Sequence, residues 1–143
     1  MQMKFLITFF LLILGAESFA QHTLTIEVKS LRNTKGSLYF SLFKSEIGFP
    51  DKHENAIQKG KLEGLKSTTA SYVFKNIPDG TYAVAIFHDE SNDGEMKTNA
   101  LGIPLEGTAV SNDAKGTFGP PKYKDAKFAL SGDRKIVITM WYF

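Results

Sequence analysis

Leu24, Ile26 and Val28 alternate with Thr23, Thr25, Glu27 and Lys29. That two-residue period belongs to a strand with one face in a core and the other in water. It returns at 37–44, where Leu38, Phe40 and Leu42 share one face and Tyr39 and Phe43 the other, so both faces are partly covered. Between these runs Asn33-Thr34-Lys35-Gly36 reads as a turn, and the pair reads as a hairpin. A third strand is expected over 69–75, with Tyr72 and Phe74 on one side. A fourth is expected over 81–88, with Tyr82, Val84 and Ile86 on one side. Ala83 and Ala85 alternate with these, which implies close packing on that second face. Asn76-Ile77-Pro78-Asp79-Gly80 makes a tight turn between the two, since proline presets φ and glycine permits φ > 0. Ala126, Phe128 and Leu130 are in phase over 125–130. The β-branched and aromatic run 135–142 resembles a central strand, with Ser131-Gly132-Asp133-Arg134 as the hairpin turn before it.

The stretch 45–68 is the least regular. Phe49-Pro50 imposes an extended or turning backbone. Asp51 and Glu54 have capping-box spacing for a short helix that would turn Ala56 and Ile57 to the core, and Gly60 and Gly64 prevent a long element. This segment is expected to cross between sheets. Short strands, frequent turns and almost no helical period predict an all-β antiparallel β-sandwich of about seven strands, with a small closed barrel as the alternative.

The first twenty residues have a different pattern. Lys4 precedes an apolar run over 5–14 broken only by Thr8, and Ser18-Phe19-Ala20 follows. This reads as a signal peptide over 1–20, cut after Ala20. The run is too short to span a bilayer, which takes about twenty apolar residues. The expected product is an exported protein, periplasmic or extracellular, in which 21–143 is a single domain. The chain has no Cys, so packing alone must stabilise it. The net charge is +2 and the lysines are scattered, which argues against nucleic-acid and anionic-lipid partners.

The run Phe74-Lys75-Asn76-Ile77-Pro78-Asp79-Gly80-Thr81-Tyr82 is similar to a corner of transthyretin-like and prealbumin-like sandwiches, and the sandwich expected is of the transthyretin-like or immunoglobulin-like kind. The continuation is more specific. His88-Asp89-Glu90, Asp93-Gly94, Thr98-Asn99, Leu101-Gly102-Ile103-Pro104, Glu106-Gly107, Ser111-Asn112, Phe118-Gly119-Pro120-Pro121 and Asp125-Ala126-Lys127-Phe128 fall in order. Together they resemble the exported bacterial proteins grouped as domain of unknown function 2141. The resemblance covers nearly all of 21–143 and implies a secreted or periplasmic β-sandwich with no established reaction. Ser91 and Asp93 stand where the family pattern has Asn, Lys97 where it has Asp, Thr108 where it has an aromatic, and Ala109 where it has Gly.

The polar stretch after the fourth strand concentrates the chemistry. His88, Asp89, Ser91, Asp93, Gly94, Asn99 and Glu106 are its candidate ligand-binding or structural residues. Asp89, Ser91 and Asp93 followed by Gly94 have the phase of a calcium loop, with Glu95 offering a backbone carbonyl and Glu106 a distal carboxylate. Against this, Ala100 stands where an EF-hand places its bidentate Glu, and Lys97 brings a cation able to pair with Asp89 or Asp93. The competing reading is a self-bonded loop with Gly94 in the left-handed region. No cofactor is expected, with calcium the single alternative.

His88 is read as a packing residue that orients the loop, while His22 and His53 lie in a terminus and an irregular segment. The three histidines, without cysteine, have no zinc spacing. Ser111, His88 and Asp89 can be drawn as a triad, and Asp89 with Glu106 as a glycosidase pair. No nucleophile elbow accompanies the first, and so short a chain has little room for the sugar cleft the second needs. Phe118 is expected to tuck back onto the core, Pro120 and Pro121 to stiffen its loop, and Trp141 and Tyr142 to be core residues. The functional expectation is a non-catalytic binding or envelope-associated protein. Its working surface would be the loops 88–112 and 116–124, and its partner an envelope protein, a peptide or a carbohydrate. A calcium-stabilised binding module and a small hydrolase are the alternatives.

Overall fold

The computed structural model of the chain describes residues 19–143. The export segment expected over 1–20 falls on residues 1–18 and therefore lies almost wholly outside the described residues. Among the described residues no helix is long and apolar enough to cross a membrane.

Eight strands follow in order: β1 (Gln21–Lys29), β2 (Ser37–Phe43), β3 (Gln58–Leu62), β4 (Ala70–Pro78), β5 (Gly80–Asp89), β6 (Gly107–Val110), β7 (Phe128–Leu130) and β8 (Arg134–Thr139). They form two sheets. One is three-stranded, in the order β4-β1-β8. The other is five-stranded, β3-β2-β5-β6, with β7 also paired to β5. The fold is an all-β sandwich. Alternation along β1, β2 and β5 turns Leu24, Ile26, Val28, Leu38, Phe40, Leu42, Val84 and Ile86 into one buried core, with Phe74 and Ile138 beside them. Phe40 stacks on Tyr72 with ring centroids 4.6 Å apart.

Several strand partners differ from expectation. β1 and β2 are not a hairpin: β1 pairs with β4 and β8, while β2 pairs with β3 and β5. The turn at 33–36 carries the chain from one layer to the other. β8 is an edge strand, and it runs parallel to β1. Its β-branched residues cover an edge closed by a side chain instead of a strand, since the Thr139 N–H donates to Asp113 Oδ1 at 2.8 Å. Ser131 to Arg134 is accordingly a crossing between sheets, since β7 pairs with β5 and β8 with β1.

The crossing 45–68 holds a strand that the pattern did not reveal, β3, whose Gly60 lies under the Tyr72 ring where a Cβ would collide. The short helix there is a single 3-10 turn, His53–Asn55, with no side-chain cap. Ala56 packs on apolar neighbours but Ile57 is 46% exposed, because the turn is too short to carry both inward. The run 125–130 is half strand: one helical turn, α1 (Tyr123–Ala126), precedes β7.

The corner between β4 and β5 is the best-specified join. Tyr82 donates from its hydroxyl to the Pro78 carbonyl at 2.7 Å, a tyrosine corner that ties the strand of one sheet to that of the other.

Candidate ligand groove and the polar loop at its rim

Asp89 ends β5 with its side chain fully buried. Its Oδ2 accepts the Gly94 N–H at 2.7 Å, and its Oδ1 accepts the Asp93 N–H and the Ser91 hydroxyl, each at 3.3 Å. One carboxylate thus closes the turn on donors that would otherwise need water. Gly94 and Asn92 take the positive φ this demands, 78° and 60°. Glu106, also buried, arrives just ahead of β6, and its Oε1 lies 3.2 Å from both the backbone N and the hydroxyl of Ser91. Its Oε2 has no hydrogen-bond partner among the described residues.

Asp93 is held on the outside, 3.2 Å from Lys97 Nζ. The backbone bond from Glu95, together with Lys97 and Ser91, keeps its carboxyl below the ordinary aspartate value. Glu95 thus contributes its N–H, to Asp93. Among the described residues no three His, Cys, Asp or Glu side chains are grouped as a metal site would need.

Beyond the loop, 97–105 folds back on itself. Asn99 Oδ1 accepts the Leu101 and Ile103 N–H groups at 2.9 and 3.0 Å, and Leu105 N–H donates to Lys97 O at 2.8 Å. The result is a small finger that displays Leu101, 83% exposed. Asn99 therefore belongs to the tip of the finger, away from Asp89.

His88 is fully buried and completely bonded. The Lys35 carbonyl, 2.7 Å from Nε2, can only accept, so Nε2 carries the proton. Nδ1 then accepts from the Tyr142 hydroxyl at 2.7 Å, whose oxygen receives the Arg32 N–H at 3.2 Å. Gly107 lies beneath the Tyr142 ring, where a Cβ would overlap it. Arg32 Nη2 pairs with Glu90 Oε1 at 2.5 Å, and Asn33 donates to Glu90 Oε2 at 2.8 Å. Ser111 lies elsewhere: its hydroxyl donates to Ala126 O at 2.6 Å and accepts the Val84 N–H at 2.9 Å. His88, Asp89 and Ser111 are thus each committed to separate structural bonds.

The outer face of the five-stranded sheet carries a different cover at each end. At one end Phe43, Ala83, Ala85, Val110 and Ala126 form a second apolar cluster under Phe49 and Tyr123. Tyr123 pins this cover through bonds to Lys44 O and Thr81 O, both 3.1 Å. At the other end lies a groove of about 1010 Å³. Ala85, Phe87, Thr108 and Val110 line it from β5 and β6, and the finger 97–105 and the segment 113–121 contribute Leu101, Ile103 and Phe118. Phe118, expected on the core, is fully exposed there, and Trp141 is 47% exposed. The chain leaves β1 after Met140, whose N–H donates to Lys29 O at 2.8 Å, and Trp141 bridges to Thr108 by two backbone bonds of 2.9 Å, which turns its indole away from the core. Lys115 Nζ sits 3.7 Å from the Trp141 ring centroid.

His53 lines the same groove, half-buried, with its ring centroid 5.3 Å from that of Phe87. Its Nδ1 is 2.7 Å from the Ser41 hydroxyl. Burial pushes its pKa below the usual histidine value, against the raising effect of Asp51 and Glu54. His53 was missed from sequence because its partner Ser41 is distant in register and its segment has no regular period.

Comparison with curated proteins and with solved structures returned no match. A family model described as "Uncharacterized protein conserved in bacteria" matches residues 26–138, a span running from within β1 to within β8 and including the polar loop and the finger. The chain therefore belongs to the bacterial family of domain of unknown function 2141.

Proposed function

We propose that this is an exported, non-catalytic binding protein whose ligand is a small, mainly apolar molecule held in the groove on the outer face of the larger sheet. The observation that carries the reading is the groove itself. It is a concavity of about 1010 Å³ bordered by exposed Leu101, Phe118 and Trp141. Its size is that of a small-molecule site, and apolar side chains with few polar groups are what such sites present. A carbohydrate is the poorer fit. Two of the charged groups that line the groove are already engaged, Asp113 with Thr139 and Lys115 with Trp141. The polar loop serves as scaffold in this account. Asp89 and Glu106 hold Ser91 and Gly94, and the loop in turn sets the finger that walls the groove. Asp89 already accepts three bonds from the chain, so it is read as self-satisfied without calcium.

Trp141 is the sole tryptophan, so its emission reports on the groove directly. Anilinonaphthalene sulfonate added to the folded protein should bind saturably and quench Trp141 by energy transfer. The Leu101→Ser/Phe118→Ser double variant should weaken that binding. Absence of saturable binding, or binding that the double variant leaves unchanged, would overturn the proposal.

A further inference from the structure

We infer that His53 is the groove's specificity-determining residue: a neutral imidazole locked by Ser41 so that its Nε2–H donates to a carbonyl or amide oxygen on an otherwise apolar ligand. The inference rests on the groove being the binding site and adds which ligands it selects.

Ser41 lies on the outward-facing side of β2, is 2% exposed, and is not among the residues that line the groove. A buried hydroxyl hydrogen without an acceptor is costly, on the order of 1–3 kcal/mol. The acceptor available to Ser41 among the described residues is His53 Nδ1, at 2.7 Å. If Nδ1 carried a proton it would donate to Ser41 Oγ, and the hydroxyl hydrogen would have no partner. The satisfied arrangement has Ser41 O–H donating to Nδ1, which places the imidazole proton on Nε2.

Nε2 has no acceptor among the described residues, and the half-buried ring that carries it lines the groove against Phe87. His88 provides the contrast. Its Nε2–H is taken by Lys35 O and its Nδ1 by Tyr142, which leaves nothing for a ligand. His53 instead offers one directional donor among apolar walls. An isolated donor of this kind favours a ligand with an acceptor oxygen and gives nothing to one that carries donors alone. Asp51, which also lines the groove beside His53, disfavours a carboxylate at this position, so the matching group is a neutral carbonyl or amide.

The test pairs two probes with one apolar chain: octanamide, which has a carbonyl acceptor, and octylammonium, which has donors only. Each is titrated against Trp141 emission in wild type, His53→Phe and Ser41→Ala. His53→Phe keeps an aromatic ring on Phe87 and removes the donor. Octanamide should bind it roughly 3- to 10-fold more weakly than wild type, the worth of one hydrogen bond. Octylammonium should change by less than about twofold, within the scatter of a lost contact that makes no bond.

Independently, ¹⁵N imidazole spectra of wild type should show His53 with a pyrrole-type Nε2 and a pyridine-type Nδ1. Ser41→Ala should convert this to a tautomer mixture with part of the octanamide preference lost. Should His53→Phe fail to fold, Ser41→Ala carries the test by the same two readouts. Equal octanamide affinity in wild type and His53→Phe, with sulfonate probe binding intact, overturns the role of His53 and leaves the groove standing. A wild-type spectrum with the proton on Nδ1 overturns the lock. Failure of every probe to bind wild type overturns the groove and this inference together.

Discussion

The two faces of the larger sheet are built from similar side chains and end in different surroundings. On the inner face Leu38, Phe40, Leu42, Val84 and Ile86 meet the three-stranded sheet and are sealed. On the outer face Phe43, Ala83 and Ala85 are sealed at one end by Phe49 and Tyr123, while Phe87 and Thr108 border a groove at the other. The inner face is packed against the three-stranded sheet, so its apolar area is used for stability. The outer face is met by loops and single helical turns, which leave a groove against it. Stability and recognition are thus divided between opposite sides of the same strands, and the alternation along β5 makes the division.

That division predicts a ranking of effects. Phe40→Ala should be the most damaging, costing about 3–5 kcal/mol for a buried aromatic, as measured by urea denaturation. A loss near that at Phe118, which is fully exposed, would break the comparison. Asp89→Ala should cost about 2–3 kcal/mol, because it strands the Gly94 and Asp93 N–H groups, while the Ser91 hydroxyl keeps Glu106 as an acceptor. Hydrogen exchange should then speed across 91–105, loosening the groove wall while the inner core stays protected. In wild type, neither EDTA nor added calcium should move the melting temperature, since ligand linkage requires a site that binds. Tyr82→Phe removes the bond to Pro78 O and should cost about 1 kcal/mol.

A smaller effect is carried by pH. Burial holds the pKa of His53 below its ordinary 6.5, with Asp51 and Glu54 opposing and Lys59 assisting. On acidification through 6.5 the unfolded chain takes up a proton that the folded chain refuses. The contribution to stability is therefore present above that pH and is lost as pH falls toward the folded value. His53→Phe should remove this part of the slope, which thermal melts at a series of pH values would detect. Smallest of all, Leu101→Ser should change stability by less than about 0.5 kcal/mol, yet weaken ligand binding.

Much of the fold was legible because alternation is local. Strand β1, the inward faces of β2 and β5, and the close packing beside Ala83 and Ala85 all follow from a two-residue period. Strand partners were not legible. Nothing within Ser37–Phe43 states that its neighbours are β3 and β5 instead of β1, because pairing is decided by which faces meet across the core. The parallel placement of β8 has the same origin: its β-branched residues suit any strand, and the edge is closed by Asp113 from a distant turn. Strand β3 was hidden because Gly60 breaks its pattern, and that glycine is present for the sake of Tyr72.

In the candidate site, Asp89, Ser91, Asp93 and Gly94 were legible as a unit, since side chains that bond the backbone a few residues on are a local device. Glu106 was read as a distal carboxylate for a calcium loop, and in the structure its Oε1 lies 3.2 Å from the Ser91 hydroxyl. The groove was not legible, because it is a space left between segments around 50, 87, 101, 118 and 141. Trp141 and Phe118 read as core residues from their composition alone. The exposure of Trp141 follows from its bridge to Thr108, made once the chain has left β1 after Met140.

The central claim is that the groove on the outer face is where a ligand sits. Amide chemical-shift mapping of the ¹⁵N-labelled protein with octanamide tests it most directly. Saturable shifts should concentrate at Ala85, Phe87, Thr108, Val110, Leu101 and His53, with the residues of the three-stranded sheet unmoved. Shifts centred on the three-stranded sheet, or no saturable shifts at all, would contradict the account.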